Sequence, residues 1–371
     1  MAEARVVSSI TEVGRDPWEA CFGGALEAYD YLQAVEEAGL PGFEHRYAIA
    51  EEGGRILAVA PGFFTDYRLE TTLGALGRRI VGVTRRLAPR AFTVRMACLG
   101  SPCTEDVRLG FANGLRPERR PAILRSLLSA FEAAATDAGC WLLAVKDAPE
   151  ADRAIWRAAT VGSGYQRAPG MPTAVLPLDG FADMDGYLAS LSRATRKDMR
   201  RKLKAAGALR IEVVHELGGL EHRVLELYRQ TRARSDLQFE DLTAAYFSGV
   251  LARMGGRALC VLYWLGEELV ACNLLLQDGA TLLDKFFCME TARGPALNLY
   301  FVSWFTNVRL CLERGLHVYQ SGQAAYGNKL RLGSRLAGAD LYFRHRRPLV
   351  NLVLAWAAPR LGDDPVPGRA A

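Results

Sequence analysis

The 371-residue chain has five histidines, and none of its eight cysteines forms a CxxC pair. That leaves no ligand spacing for a structural zinc, and the sequence gives no reason to expect a metal. Cys21, Cys98, Cys103, Cys140, Cys260, Cys272, Cys288 and Cys311 are scattered, mostly through apolar stretches. Such usage excludes a disulfide framework and reads as small core residues. No apolar run approaches the ~18–20 residues that span a bilayer. The longest, residues 349–358, is interrupted by Asn351. The start, MAEARVVSS, lacks the apolar stretch of a secretory signal, so a cytoplasmic location is expected. There is no GxGxxG, P-loop, GxSxG or HExxH, which removes the commonest nucleotide, serine-hydrolase and zinc-protease readings.

What is present is a sequence rich in core-forming residues: 50% are hydrophobic and 23% charged, with a net charge of +5. Wholesale disorder is excluded, and two domains of ordinary size are expected. The first forty residues look helical around Asp16-Pro17. Residues 45–50 and 55–61 read as strands around the turn Glu51-Glu52-Gly53-Gly54. A Gly- and Arg-rich stretch at 67–90 is followed by a strand at 93–99. Arg116-Pro117-Glu118 opens an amphipathic helix through Ile123, Leu127, Leu128 and Phe131, stopped by Gly139, and 141–145 is a buried strand. The second half repeats this grammar. Strands at 258–265 and 268–276 flank Gly266-Glu267, a third covers 281–289, a helix covers 296–314, and 317–320 is the strand after it. An α/β (α+β) duplication follows, each half a central mixed sheet flanked by helices. Its expected domains are 1–170 and 181–345, with a tail at 346–371 and a joint in the Pro- and Gly-rich 168–180.

Three segments could carry chemistry. Residues 192–207, SRATRKDMRRKLKAAG, hold seven cations and one acid. On a helix, Arg193, Lys197, Arg200, Arg201 and Lys204 share one broad face, with Leu191, Met199 and Leu203 on the other side. Like charges so spaced repel, and an anionic partner explains the tract better than a solvated face does. The substrate-contact candidates here are Arg196, Lys197, Arg200, Arg201 and Lys204. Residues 290–298, ETARGPALN, lie between a strand and a helix. Gly294 permits close backbone approach, Pro295 suits the first helical turn, and the free amides of that turn are an anion site beside Arg293. Residues 320–335, QSGQAAYGNKLRLGSR, form a polar loop after a strand, where α/β ligands bind. In extended backbone Lys329 and Arg331 would face one way, and Tyr326 supplies an acid/base hydroxyl. Arg344 to Arg347 make a further basic knot around His345. Asp284 and Lys285 adjoin in a strand and would point to opposite faces. Cys288 would share the face of Asp284 and Phe286, where packing is the better reading than nucleophilic attack.

This order of basic tract, paired strands, RGPALN turn, long helix ending in Glu-Arg-Gly, and polar loop with lysine resembles the GNAT superfamily. It is most similar to the BioF2-like acetyltransferase domain and the related Fem-type (FemAB-like) aminoacyl transferases. The resemblance runs from about Gly186 to Leu336, through RKDMRRKLKAAGALRIEV and RGPALNLYFVSWFTNVRLCLERGLHVYQSG, with a weaker copy upstream. It implies tandem GNAT-like domains and transfer of an acyl or aminoacyl group to an amine. The acyl donor would be acetyl-CoA or another acyl-CoA, or charged tRNA. Arg293, Gly294, Pro295, Ala296 and Asn298 would border the donor, and Lys329 matches the lysine after the family's last motif strand. Glu290, Asp284 or Tyr326 would take the amine's proton, and Gln323 and Arg331 would face the acceptor, a small molecule or cell-envelope precursor. Gln320 and Gln323 stand where the family places an acid. Two other readings stay open: a tRNA-dependent aminoacyl transferase, and a non-catalytic module binding an anionic ligand or nucleic acid.

Overall fold

The computed structural model describes residues 2–68, 93–205, 207–235 and 239–358. Most of the Gly- and Arg-rich stretch and of the tail lie outside them. In chain order, β1 (Glu3–Val7), α1 (Arg15–Phe22), α2 (Tyr29–Glu37), β2 (Phe43–Glu52), β3 (Arg55–Arg68) and β4 (Thr93–Leu99) come first. Then follow β5 (Gly110–Phe111), α3 (Arg120–Asp137), β6 (Leu142–Pro149), α4 (Arg153–Thr160) and β7 (Gln166–Pro169). The second half holds β8 (Thr173–Pro177), α5 (Met184–Ser190), α6 (Arg193–Ala205), β9 (Leu209–Val214), α7 (Glu221–Ala233) and α8 (Ala244–Met254). It continues with β10 (Ala258–Leu265), β11 (Glu268–Gln277), β12 (Thr281–Met289), α9 (Leu299–Glu313), β13 (Val318–Gly322), α10 (Tyr326–Arg331) and β14 (Arg335–Ala337). β15 (Ala339–His345) and α11 (Pro348–Ala357) close the chain's described part.

The strands form two sheets. One has the order β1-β2-β3-β4-β6-β15-β7 with β5 on β3, the other β14-β8-β13-β12-β11-β10-β9. Each repeats one plan: a hairpin (β2–β3, β10–β11), an antiparallel third strand (β4, β12), a helix (α3, α9), and a strand parallel to the third (β6, β13). The expected duplication is therefore real. Gly53 and Gly54 take φ of 59° and 75° to close the first hairpin, a turn open to glycine at little cost. In the first unit α3 buries Leu124, Leu127 and Phe131 against Ala97 and Leu143. In the second, α9 buries Val302, Phe305 and Val308 against Leu259, Val261 and Leu282. All eight cysteines are free and buried, as core residues should be.

The structure differs from the expectation at the seams. The start contains a strand, β1, paired along β2, as well as helix. Of the described residues, the first compact unit holds those up to Glu36, from Pro41 to Met171 and from Gly338 on; the second holds Glu37–Leu40 and those from Pro172 to Ala337. β15 pairs with β6 and β7, although a domain running to residue 345 would put it in the other sheet. Local alternation marks a strand but does not name its partner, which is a long-range choice.

Asp340 of β15 ties this return together. It is 1% exposed and accepts from Arg153 Nε at 2.6 Å and Arg167 Nη1 at 2.8 Å. Burial alone would raise its pKa, but the two guanidiniums lower it below the usual value. A lowered folded pKa means stability present above the unfolded value near 3.9 and lost as pH falls through the folded one. Asp340→Asn is expected to cost about 2 kcal/mol at neutral pH and to flatten the acid limb of a stability-versus-pH curve, read by urea unfolding between pH 3 and 7.

Candidate functional site

The second sheet opens at one place. β12 pairs with β11 along its length, from Leu282 to Met289. On its other side it pairs with β13 only at Thr281, Leu282 and Leu283, opposite Val318, Tyr319 and Gln320. Beyond that β13 follows β8, as far as Gly322 opposite Ala174. Two parallel strands thus fork, and Asp284 is the first residue past their last pair. Leu274 opposes Phe286 while Leu275 opposes Asp284, so Lys285 is bulged. A bulge re-aims the side chains that follow. Phe287 and Met289 pack with the core under α9, whereas Phe286 packs on Tyr228 of α7 and Tyr246 of α8. The expectation that Cys288 shares the face of Asp284 is therefore corrected. The inserted residue reverses the alternation, and Cys288 stays a buried packing residue beside Cys272.

Asp284 is partly exposed, and its Oδ2 accepts three hydrogen bonds. Tyr319 OH donates at 2.8 Å, Asn273 Nδ2 at 3.2 Å and Asn307 Nδ2 at 3.2 Å. Asn307 also donates to Tyr319 OH at 2.9 Å, and Asn273 to Ser303 Oγ at 3.1 Å. Every donor found among the described residues is on one oxygen, which leaves Oδ1 as an acceptor. Burial raises the carboxyl pKa, outweighing the bonds from Tyr319 and Asn273 and the charge of Lys329. A desolvated carboxylate of this kind suits proton abstraction. Nothing in the sequence marks Asn273, Asn307, Ser303 and Tyr319 as a set. Their only local signature is polarity inside apolar segments. Tyr300 belongs with them: its hydroxyl is buried without a hydrogen bond among the described residues, and burial followed by the charge of Asp284 raises its pKa.

Lys329 lies at the same fork. It is 4% exposed, and its ammonium donates to the carbonyls of Ser321, Gly322 and Gln323, the latter two at 2.9 Å. The segment 320–335 is not the extended loop expected. Residues 326–331 form α10, in which positions i and i+2 point apart. Lys329 accordingly turns inward, and Arg331 outward to Thr195 Oγ1 and Asp198. Tyr326 is buried and donates to the Pro172 carbonyl at 2.8 Å.

The turn at 290–298 also differs. α9 begins at Leu299, with Asn298 at φ 53° before it. The amides of Gly294, Leu297, Asn298 and Leu299 bond carbonyls of the same segment, so these four of the expected outward amides are used within the turn. A Cβ at Gly294 would lie 2.5 Å from the Glu290 carbonyl, so that glycine serves the chain's own close approach. Arg293 is held by both Glu290 and Glu268, so Glu290 is engaged in an ion pair. Pro295 and Ala296 lie in the same turn, and Asn298 Nδ2 is turned to the Ala296 carbonyl.

The basic tract forms α6, capped by Ser192 Oγ on the Thr195 amide. Thr195 and Met199 are buried, and Arg193, Lys197, Arg200, Arg201 and Lys204 are exposed, as the helical spacing implied. Arg196 donates to the Ala189 carbonyl and closes α5. Asp198 gathers Arg201, Lys202 and Arg331, which hold its pKa well below the usual carboxylate range. α6 packs on the start of α9, with the Lys202 ammonium 3.6 Å from the centre of the Phe301 ring.

In the first unit the matching fork is closed. β4 and β6 pair from Met96 to Leu99, and the chain then folds back across the gap. Val107, 1% exposed, donates its amide to the Asp147 carbonyl, and Lys146 reaches the Thr104 carbonyl. A separate cavity of about 580 Å³ lies at β9 and β10, lined by Glu212, His215, Glu216 and Trp264 among others; no expected site residue lines it. Among the described residues no cluster of side chains could hold a metal ion.

Residues 191–330, which contain the fork, match the family described as acetyltransferase (GNAT) domain. No curated protein matches the sequence. Among solved structures, FemX is similar over 89% of this chain and 94% of its own, at 13% identity and a TM-score of 0.55. A tandem GNAT protein from the clavulanic acid biosynthesis pathway is similar over 94% and 99%, at 12% identity and a TM-score of 0.53. L-PGS from Bacillus licheniformis is similar over 89% and 96%, at 12% identity and a TM-score of 0.50. At such identities these likenesses speak for the fold. The resemblance to the GNAT superfamily is thus borne out by the domain match over residues 191–330, and along the chain the duplicated GNAT-like fold is one that FemX and the tandem GNAT protein share.

Proposed function

We propose that the second unit is an N-acyltransferase that moves an acyl group from acyl-CoA to an amine. The observation that carries this is the fork itself: parallel strands parting at a desolvated carboxylate, inside the segment matching the GNAT domain. The donor's arm would enter between β12 and β13. The amine nitrogen attacks the thioester carbonyl, a C–N bond forms, the C–S bond breaks, and Asp284 Oδ1 accepts the proton leaving nitrogen. The thiolate takes a proton from solvent. Positioning comes from the Lys329-held end of β13. The exposed cations of α6 would hold a phosphate of donor or acceptor.

A second reading, aminoacyl transfer from charged tRNA, is favoured by one feature. Arg193, Lys197, Arg200 and Lys204 are exposed and carry no ion pair among the described residues. Calorimetric titration decides between the two. Acetyl-CoA is expected to bind with the shallow salt dependence of a few phosphates, whereas tRNA binding that falls steeply with salt would favour the second reading. Absence of binding to either donor would overturn both and leave a non-catalytic module.

A further inference from the structure

α11 presents a face that the transferase chemistry does not use. Leu349, Leu352, Val353 and Trp356, at i, i+3, i+4 and i+7, are 77%, 66%, 65% and 68% exposed. The helix contains one polar residue, Asn351, and it is turned inward. Its Oδ1 accepts from the His345 amide at 3.0 Å and its Nδ2 donates to the Gly164 carbonyl at 2.9 Å. These bonds fix which face looks out, so the apolar stripe is held in place by the fold. A contiguous apolar stripe of a few hundred Å² on a protein surface is often a functional contact.

The rim of the stripe is aromatic and cationic. Trp141 is 46% exposed, and Arg347 lies 4.9 Å over its ring, just before the helix. Arg347 has no ion pair among the described residues, and no acidic residue occurs from 341 to 358. Arg344 and Arg346 are anchored on Glu132 and Thr136 behind it. An apolar helix face beside an amphipathic ring and an unneutralised cation matches the boundary of an anionic bilayer, where acyl chains meet phosphate headgroups. The helix is ten residues long, and among the described residues no helix is long and apolar enough to cross a membrane. It can therefore lie in the interface plane. Four side chains offer on the order of 400 Å², about half the ~800 Å² per partner of a stable protein pair, which argues against a second copy as the occupant.

We propose that α11 docks this protein on the surface of an anionic lipid membrane, with Leu349, Leu352, Val353 and Trp356 inserted and Arg347 on a headgroup phosphate. This does not rest on the acyltransferase reading. The test is co-sedimentation of the full chain with vesicles of phosphatidylcholine containing about a third phosphatidylglycerol, and with phosphatidylcholine alone. The wild type is expected in the pellet with the anionic vesicles, and the double variant L352S/V353S at least about tenfold less bound. Arg347→Gln is expected to weaken binding severalfold, on anionic vesicles only, with wild-type binding reduced by salt. Both variants change exposed positions, and an unaltered melting temperature checks the fold; should the double variant misfold, Arg347→Gln decides. Wild-type protein left in the supernatant would overturn the proposal. So would a double variant that sediments like wild type, or a wild-type dimer in light scattering that the double variant abolishes.

Discussion

Asp284→Asn is expected to lower kcat/KM for acyl transfer by about 10²- to 10⁴-fold, the usual worth of a positioned general base, with little change in donor affinity. The carboxylate works only when ionised. Burial, the largest influence, raises its pKa against the hydrogen bonds from Tyr319 and Asn273 and the charge of Lys329. Activity of the wild type should therefore climb with pH through an apparent pKa above the ordinary aspartate value near 3.9, and the variant's profile should lack that limb. Stability moves the other way. A carboxyl whose folded pKa is raised binds its proton more tightly folded than unfolded, so ionising it costs stability as pH rises through that window. Asparagine escapes this cost while keeping the shape. The melting temperature of Asp284→Asn at neutral pH should equal or exceed that of wild type. Loss of activity with loss of stability would assign Asp284 a structural role, and retention of most activity would remove it from the mechanism.

How much of this was legible in the sequence depends on the range of the forces involved. The hairpins, α3, α9 and the basic face of α6 follow from alternation and 3.6-residue periodicity, which act within a turn or two. The duplication was readable for the same reason, since its units are strings of such elements. Strand partnership was not: β15 has ordinary strand chemistry, and only pairing with β6 and β7 assigns it to the first sheet.

The site was legible as a set of residues and less so as a geometry. Asp284 and Lys329 were both singled out, and the fold brings them within electrostatic reach. Side-chain orientation is not legible where the backbone departs from regular geometry. The facing of Lys329 and Arg331 assumed extended chain, yet those residues are helical. The face of Cys288 assumed regular alternation, which the bulge at Lys285 reverses. The phosphate site at Gly294 assumed free amides, four of which the turn uses itself. The partners of Asp284 come from β11, α9 and β13, so no window of sequence displays them together.

Lys329→Met is the variant expected to cost the most stability, about 3 kcal/mol or more. Its ammonium satisfies three carbonyls at the end of β13, and each charged bond of this type is worth roughly 1.5–3 kcal/mol when lost with its acceptors left buried. The loss would not stop at hydrogen bonds. Directly after these carbonyls the chain passes through Ala324 and Ala325 at φ of 65° and 51°, a left-handed conformation that side chains with a Cβ adopt at a cost of order 1 kcal/mol each. The lysine's grip on the strand end offsets that strain, and methionine keeps the stem's packing but not the grip. Relaxation of the alanines would let β13 shift where it parts from β12, so activity should fall beyond what the unfolded fraction explains. Urea unfolding at constant m value measures the first effect, and kcat/KM on the folded fraction measures the second. A Lys329→Met protein as stable as wild type would show that these carbonyls find water instead, and a stable, fully active one would free the lysine from any role in shaping the fork.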